Sequence, residues 1–137
     1  MRFMVMVKAT PNSEAGVMPG PEMFEAMGRF NEELVKAGIM KAGEGLHPSS
    51  RGVRVHFSGS ERTVEKGPFR EPGLICGFWI FETKSLEEAI EWAKRAPMDG
   101  DSALEIRRIH SAEDFAECDP TGELRAKEAD LRARISG

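Results

Sequence analysis

Apolar positions recur along this chain in two rhythms, one of alternate residues and one of three or four. "RFMVMVK" (2–8) and "LICGFWIFE" (74–82) are short runs rich in Val, Met, Ile and aromatic residues and predict strands. "IMKAGEGLHP" (39–48) predicts a strand broken or bulged at its glycines. "GVRVHF" (52–57) alternates, with Val53, Val55 and Phe57 on one face and Arg54 and His56 on the other. "SGSE" then turns the chain into a short arm, "RTVEK", and "SALEIRRI" (102–109) predicts the last strand.

The helical rhythm is found in three places. Met23, Met27, Phe30 and Leu34 form one apolar stripe in a helix that opens at Pro21 and closes at Gly38. "SLEEAIEWAKRA" (85–96) predicts a second helix, capped by Ser85 and Glu88 and stopped by Pro97. "CDPTGELRAKEADLRARI" predicts a third, with Asp119 as N-cap and Pro120 at the first helical position. Its stripe of Leu124, Leu131 and Ile135 is thin, which suits a surface or a partner chain. "ATPNSEAGVMPGP" (9–21) reads as loop. With the hairpin of "GVRVHF" and the "RTVEK" arm set aside, the order is βαββαβ. This is an α+β, ferredoxin-like arrangement with an extra hairpin arm and a C-terminal helix over 120–135. One domain spans 1–137.

The strand at 74–82 is apolar on both faces: Ile75, Gly77, Trp79 and Phe81 share one, and Leu74, Cys76, Phe78 and Ile80 the other. The first strand does the same, with Phe3, Val5 and Val7 opposed to Met4 and Met6. An antiparallel sheet with a wet face alternates apolar with polar instead. Two helices cover one face only, so the pattern predicts a homodimer with sheets packed face to face. The other arrangement is a monomer whose tail helix folds over the open face.

Composition narrows the function classes. A net charge of −4 argues against a general nucleic-acid binder, and no run approaches the ~20 apolar residues of a membrane span. The opening "MRFMVMVKAT" is too short an apolar run for a signal peptide. Cys76 and Cys118 stand far apart without a CxxC, which suits a reduced, cytoplasmic protein. Cys76 reads as a core thiol, and three scattered histidines lack metal spacing, so neither metal nor organic cofactor is expected. Phosphate-binding glycine loops, a G-x-S-x-G elbow and an RNA-binding Lys/Arg-Gly-Phe-Gly-Phe pattern are all missing.

The candidate chemistry gathers in two stretches. In "GEGLHP" (43–48), Glu44 and His47 would form an acid–base pair if a bulge at Gly43 or Gly45 re-aimed one of them; otherwise they face opposite ways. In "TVEKGPFRE" (63–71), Gly67 and Pro68 shape a loop that either aims Phe69 into an apolar pocket as a wall or seats it in the core. Lys66 or Arg70 at its rim would meet a carboxylate or phosphate, or be solvated. Trp79 is a stacking wall if it faces the space between sheets, and core if it faces the helices. His56 reads as an exposed polar residue and His110 as an ion-pair or interface residue.

"GEGLHP", then "KGPF" (66–69), "GFWIFE" and "SLEEAIEWAKRAP", in that order and spacing, resemble the YciI-related proteins and more narrowly their DGPF branch. The tail "EIRRIHSAEDFAE…ELRAKEADLRARI" (105–135) resembles the longer members of that branch. The resemblance implies a ferredoxin-like subunit pairing into a dimeric α+β barrel. It also implies a polar cleft of mostly unassigned activity, with a few relatives acting on small ring compounds through a His-Asp pair. The motif's aspartate position holds Lys66 here, with Glu65 next to it.

Two functions are expected from these features. The first is a homodimer binding a small, partly apolar anion, with Glu44 and His47 as acid and base, Lys66 or Arg70 as anion contact, and Phe69 and Trp79 as walls. The second is a non-catalytic regulatory module docking a protein through its tail helix. The resemblance supports this as well, since some DGPF proteins are encoded beside alternative sigma factors.

Overall fold

A computed structural model describes residues 1–136. In chain order it contains β1 (Arg2–Lys8), α1 (Pro11–Glu14), α2 (Pro21–Lys36), β2 (Met40–Gly45), β3 (Val53–Ser58) and β4 (Glu61–Lys66). There follow β5 (Ile75–Glu82), α3 (Leu86–Ala93), β6 (Leu104–Arg108) and α4 (Glu123–Ser136). Strands β2-β5-β1-β6 make one antiparallel sheet in that order, and β3-β4 stand apart as a two-stranded hairpin. The α+β, ferredoxin-like arrangement expected from the element order is therefore present, with the hairpin inserted between β2 and β5.

Register explains which side chains the helices bury. Val5 lies opposite both Trp79 and Ile106, Trp79 lies opposite Gly43, and Phe3 lies opposite Phe81. These residues meet Phe30 and Leu34 of α2 and Ala89 and Ala93 of α3 in one core. Phe3, Phe81, Leu34 and Val5 are its largest fully buried side chains, each contributing about 1.5–3 kcal/mol of burial. Trp79 takes the core option: it is 5% exposed, edge-on to Phe30, and its Nε1–H donates to Asn31 Oδ1 at 2.9 Å. Gly43 is what admits it, since a Cβ there would stand 2.9 Å from Trp79 Cδ1 and 2.6 Å from Met40 Cε.

The opposite face carries Met4, Met6, Cys76, Phe78 and Ile80, all half-buried. Across the sheet, Glu44, Phe78, Met6 and Glu105 form one row, and Ala42, Ile80, Met4 and Arg107 the next. The floor is thus apolar on the two central strands and charged on the outer ones. Lys8 reaches Glu105 at 3.3 Å and Arg107 reaches it at 3.5 Å, so the β6 border is internally paired.

Several local expectations shift. The loop after β1 contains the short helix α1, closed by a capping box in which Thr10 Oγ1 accepts from Ser13 N–H at 3.1 Å and Ser13 Oγ accepts from Thr10 N–H at 2.8 Å. The irregularity in β2 falls between Met40 and Ala42, ahead of the glycines. Ser85 Oγ caps α3 by accepting from Glu88 N–H at 3.1 Å, but the Glu88 carboxylate takes the Lys84 N–H at 3.3 Å instead of returning to Ser85. The tail helix starts at Glu123, with Asp119 capping it across a turn through the amides of Leu124 (3.3 Å) and Arg125 (2.9 Å).

None of the α4 residues is buried, and Leu124 and Ile135 are 62% and 85% exposed, so α4 does not cover the open face. Among the described residues no helix is long and apolar enough to cross a membrane.

Candidate functional site

The stretch from Lys66 to Glu71 is held against the residues that follow β2 by a chain of hydrogen bonds beginning in α1. The capped turn of α1 presents the Glu14 carboxylate, which accepts both the backbone N–H of Ser49 (2.9 Å) and its hydroxyl. With its proton committed to Glu14, Ser49 Oγ accepts the Phe69 N–H at 2.9 Å. Gly67 N–H donates to Gly52 O at 3.0 Å, closing the base of the hairpin. A Cβ at Gly67 would sit 1.8 Å from Ser49 O, so only glycine permits this approach. The Gly67–Pro68 peptide is cis.

Phe69 is half-buried beneath Arg54, whose guanidinium carbon lies 3.8 Å from the ring centroid. Arg54 is itself gripped by Glu71 through two bonds of 2.5 Å. This is a cation–π contact in which the cation is fixed by a fork of hydrogen bonds. The Arg54 bonds hold the Glu71 carboxyl below its ordinary value, and the same pairing keeps Arg54 more firmly protonated. Hydrogen bonds from the Ser49 hydroxyl, and then its amide, hold Glu14 below the ordinary 4.5 against the opposing effect of burial.

Glu44 rises from the open sheet face opposite Phe78, and His47 lies beyond the end of β2, its Nδ1 3.2 Å from Arg51 Nη1. Since arginine only donates, Nδ1 is the acceptor in that contact. No hydrogen bond joins Glu44 to His47 among the described residues. The irregularity in β2 lies upstream of both and so does not re-aim either. Lys66, across from Val53, and Arg70 are exposed and have no ion-pair partner among the described residues. Trp79 is on the far side of the sheet, as described, and walls no open space. The structure therefore brings Phe69, Lys66 and Arg70 into one braced loop, leaves Glu44 and His47 unpaired with each other, and removes Trp79 from the cleft.

Glu14, Ser49, Arg54 and Glu71, which do the bracing, carry no motif that singles them out. The T-x-x-S capping box at Thr10 was the readable signal that "PNSE" is ordered. His56 is not solitary, because its Nε2 lies 2.8 Å from Glu65 Oε1. His110 pairs with Asp114 at 3.3 Å beside Phe115. Two shallow depressions open elsewhere: one of about 380 Å³ at Met1, Ser85 and Ile106, and one of about 410 Å³ at Arg108, His110 and Asp114. Among the described residues no three His, Cys, Asp or Glu side chains cluster as metal ligands.

The sheet order, the helix pair on one face and the braced loop ahead of the central strand define a ferredoxin-like α+β subunit. The chain belongs to the YCII-related family, whose domain model matches residues 1–116 and leaves α4 outside the match. A solved structure of similar outline is 5-chloro-2-hydroxyhydroquinone dehydrochlorinase (TftG) from Burkholderia phenoliruptrix AC1100, in complex with 2,5-dihydroxybenzoquinone. It is 17% identical, with 82% of this chain and 98% of that one covered and a TM-score of 0.41. At that level the likeness carries no argument about ligand or reaction. No curated protein matches the chain.

The brace has a pH dependence of defined sign. Glu14 titrates lower in the folded protein than in the unfolded chain, so its contribution is complete above the ordinary 4.5 and is lost as pH falls through the lowered folded value. Protection of the Phe69 amide from exchange should fall in that acidic window and be flat above it. Glu14→Gln should show the weakened protection at neutral pH. Equal protection in both proteins at all pH values would remove Glu14 from the brace.

Proposed function

We propose that the protein is a homodimer that binds a small, partly apolar anion at the mouth of the space between two facing sheets. The observation that carries this reading is the apolar floor of Met4, Met6, Phe78 and Ile80, half-buried on the sheet face opposite the one that α2 and α3 cover. Phe69, clamped by Arg54, supplies an apolar wall where β5 begins. Lys66 and Arg70 are the cations free to meet the anion. Of the two carboxylates in the Phe78 row, Glu105 is held by Lys8 and Arg107, while Glu44 has no ion-pair partner among the described residues and faces the ligand. No hydrogen bond joins Glu44 to His47 among the described residues, and His47 Nδ1 is occupied by Arg51, so the proposal is of binding and not of turnover.

Benzoate is a suitable probe because it joins one ring to one carboxylate. At about 100 times its dissociation constant it should add about 2.7 kcal/mol of stability, seen as a rise in melting temperature. Lys66→Ala combined with Arg70→Ala should remove most of that rise. An unchanged melting temperature with benzoate and a panel of small aryl phosphates, together with an empty protein by native mass spectrometry, would contradict the binding reading.

A second reading has its own observation. Helix α4 is pinned at its start, where Arg125 Nε donates to the buried Asp119 carboxylate at 3.1 Å, yet it exposes Leu124, Leu131 and Ile135. Such a helix is presented for docking, and the non-catalytic module uses it to hold a protein partner. Leu124→Asp with Leu131→Asp should then abolish capture of that partner and leave the sedimentation behaviour of the protein unchanged. Altered sedimentation instead would make α4 part of the assembly of this chain with itself.

A further inference from the structure

The β3-β4 hairpin is amphipathic, and its two faces are treated differently by the rest of the chain. On the polar face, Arg54 holds Glu71 and His56 Nε2 lies 2.8 Å from Glu65, while Glu61, opposite Ser58 at the turn, has no ion-pair partner among the described residues. Arg54 also reaches Phe69, so this face is turned toward its own loop. On the other face, Val55 lies opposite Val64, Val53 opposite Lys66 and Phe57 opposite Arg62. Val53, Val55, Val64 and Phe57 are 58%, 50%, 62% and 72% exposed, and Lys66 has no ion-pair partner among the described residues.

An apolar strip of this kind, left in water, forfeits about 25 cal/mol for each Å² that could be buried. It belongs against another apolar surface. The chain has one of matching character, the open sheet face, and the two are complementary in charge. Arg62 and Lys66 stand on the apolar side of the hairpin, while Glu44 stands on the sheet floor with no ion-pair partner among the described residues. The hairpin turns this side away from its own loop, so the sheet it meets is that of a second copy.

We infer that the hairpin is an arm that crosses to the partner, laying its valines on the partner's open sheet face and bringing Lys66 to the partner subunit's Glu44. This rests on the dimeric binding reading above and deepens it. Each cleft is composite, with the floor and carboxylate from one chain and the apolar roof and the paired lysine from the other, and Arg70 is the cation left for the anion.

The test exchanges the two charges on separate chains. Glu44→Lys and Lys66→Glu are both at exposed positions and should fold. Alone, each homodimer contains two like-charge pairs and should dissociate several-fold more readily than the parent protein. Mixed, with one variant labelled with nitrogen-15, they regain two opposite-charge pairs. Native mass spectrometry should then show the heterodimer well above its statistical share. If the parent protein is dimeric and the mixture is statistical, the arm does not place Lys66 at Glu44 of the partner subunit and this inference fails, while the dimeric reading stands. If the parent protein is monomeric at all concentrations, both fail together.

Discussion

The central strand β5 is apolar on both sides, and a chain of this size has only two helices positioned to cover one of them. Everything else in the arrangement answers to that constraint. Trp79 and Phe81 go beneath α2 and α3, where Asn31 satisfies the indole N–H and Gly43 leaves room for the ring. Phe78 and Ile80 then necessarily face the other way, beside Met4 and Met6. Alternation along a strand permits no other division. The open face is bordered by charges on β2 and β6, as a surface built to meet a partner at its centre and water at its edge would be.

The loop before β5 is the second point at which packing governs chemistry. Its backbone passes so close to Ser49 that residue 67 has to be glycine, and the serine hydroxyl both donates to Glu14 and accepts from Phe69. The phenylalanine is thereby fixed on its backbone side by hydrogen bonds and on one ring face by Arg54. A side chain held in this way keeps little freedom to lose, which is the condition under which preorganisation would favour the proposed binding. Lys66 and Arg70 flank this rigid element and remain free to respond to charge.

Much of the fold could be read from periodicity, because the strongest elements bury one face and the burial writes the pattern. The bounds of β1 and the closing glycine of α2 follow from it directly: Gly38 has φ of 73°, a left-handed value that few other residues adopt readily. The face of Trp79 could not be read, since alternation says which residues travel with it but not which side the helices occupy. The irregularity in β2 falls between Met40 and Ala42, a pairing shift that the one-dimensional pattern does not show. At the site, the glycine, proline and aromatic of "KGPF" were legible as a shaped loop. Their supports were not, because Glu14 and Ser49 are 35 residues apart and meet only through hydrogen bonds that leave no periodic trace in the sequence.

What covers the open sheet face decides whether the chain works alone or as a pair. Sedimentation equilibrium of the intact chain over a micromolar concentration range tests this most directly. It should return twice the 15.2 kDa mass of one chain, with Met6→Glu, which sets a charge in the middle of the floor, shifting the protein toward the single mass. A mass of one chain for the unaltered protein throughout that range would show that the two-sided apolar sheet is not covered by a second copy, and would contradict the account.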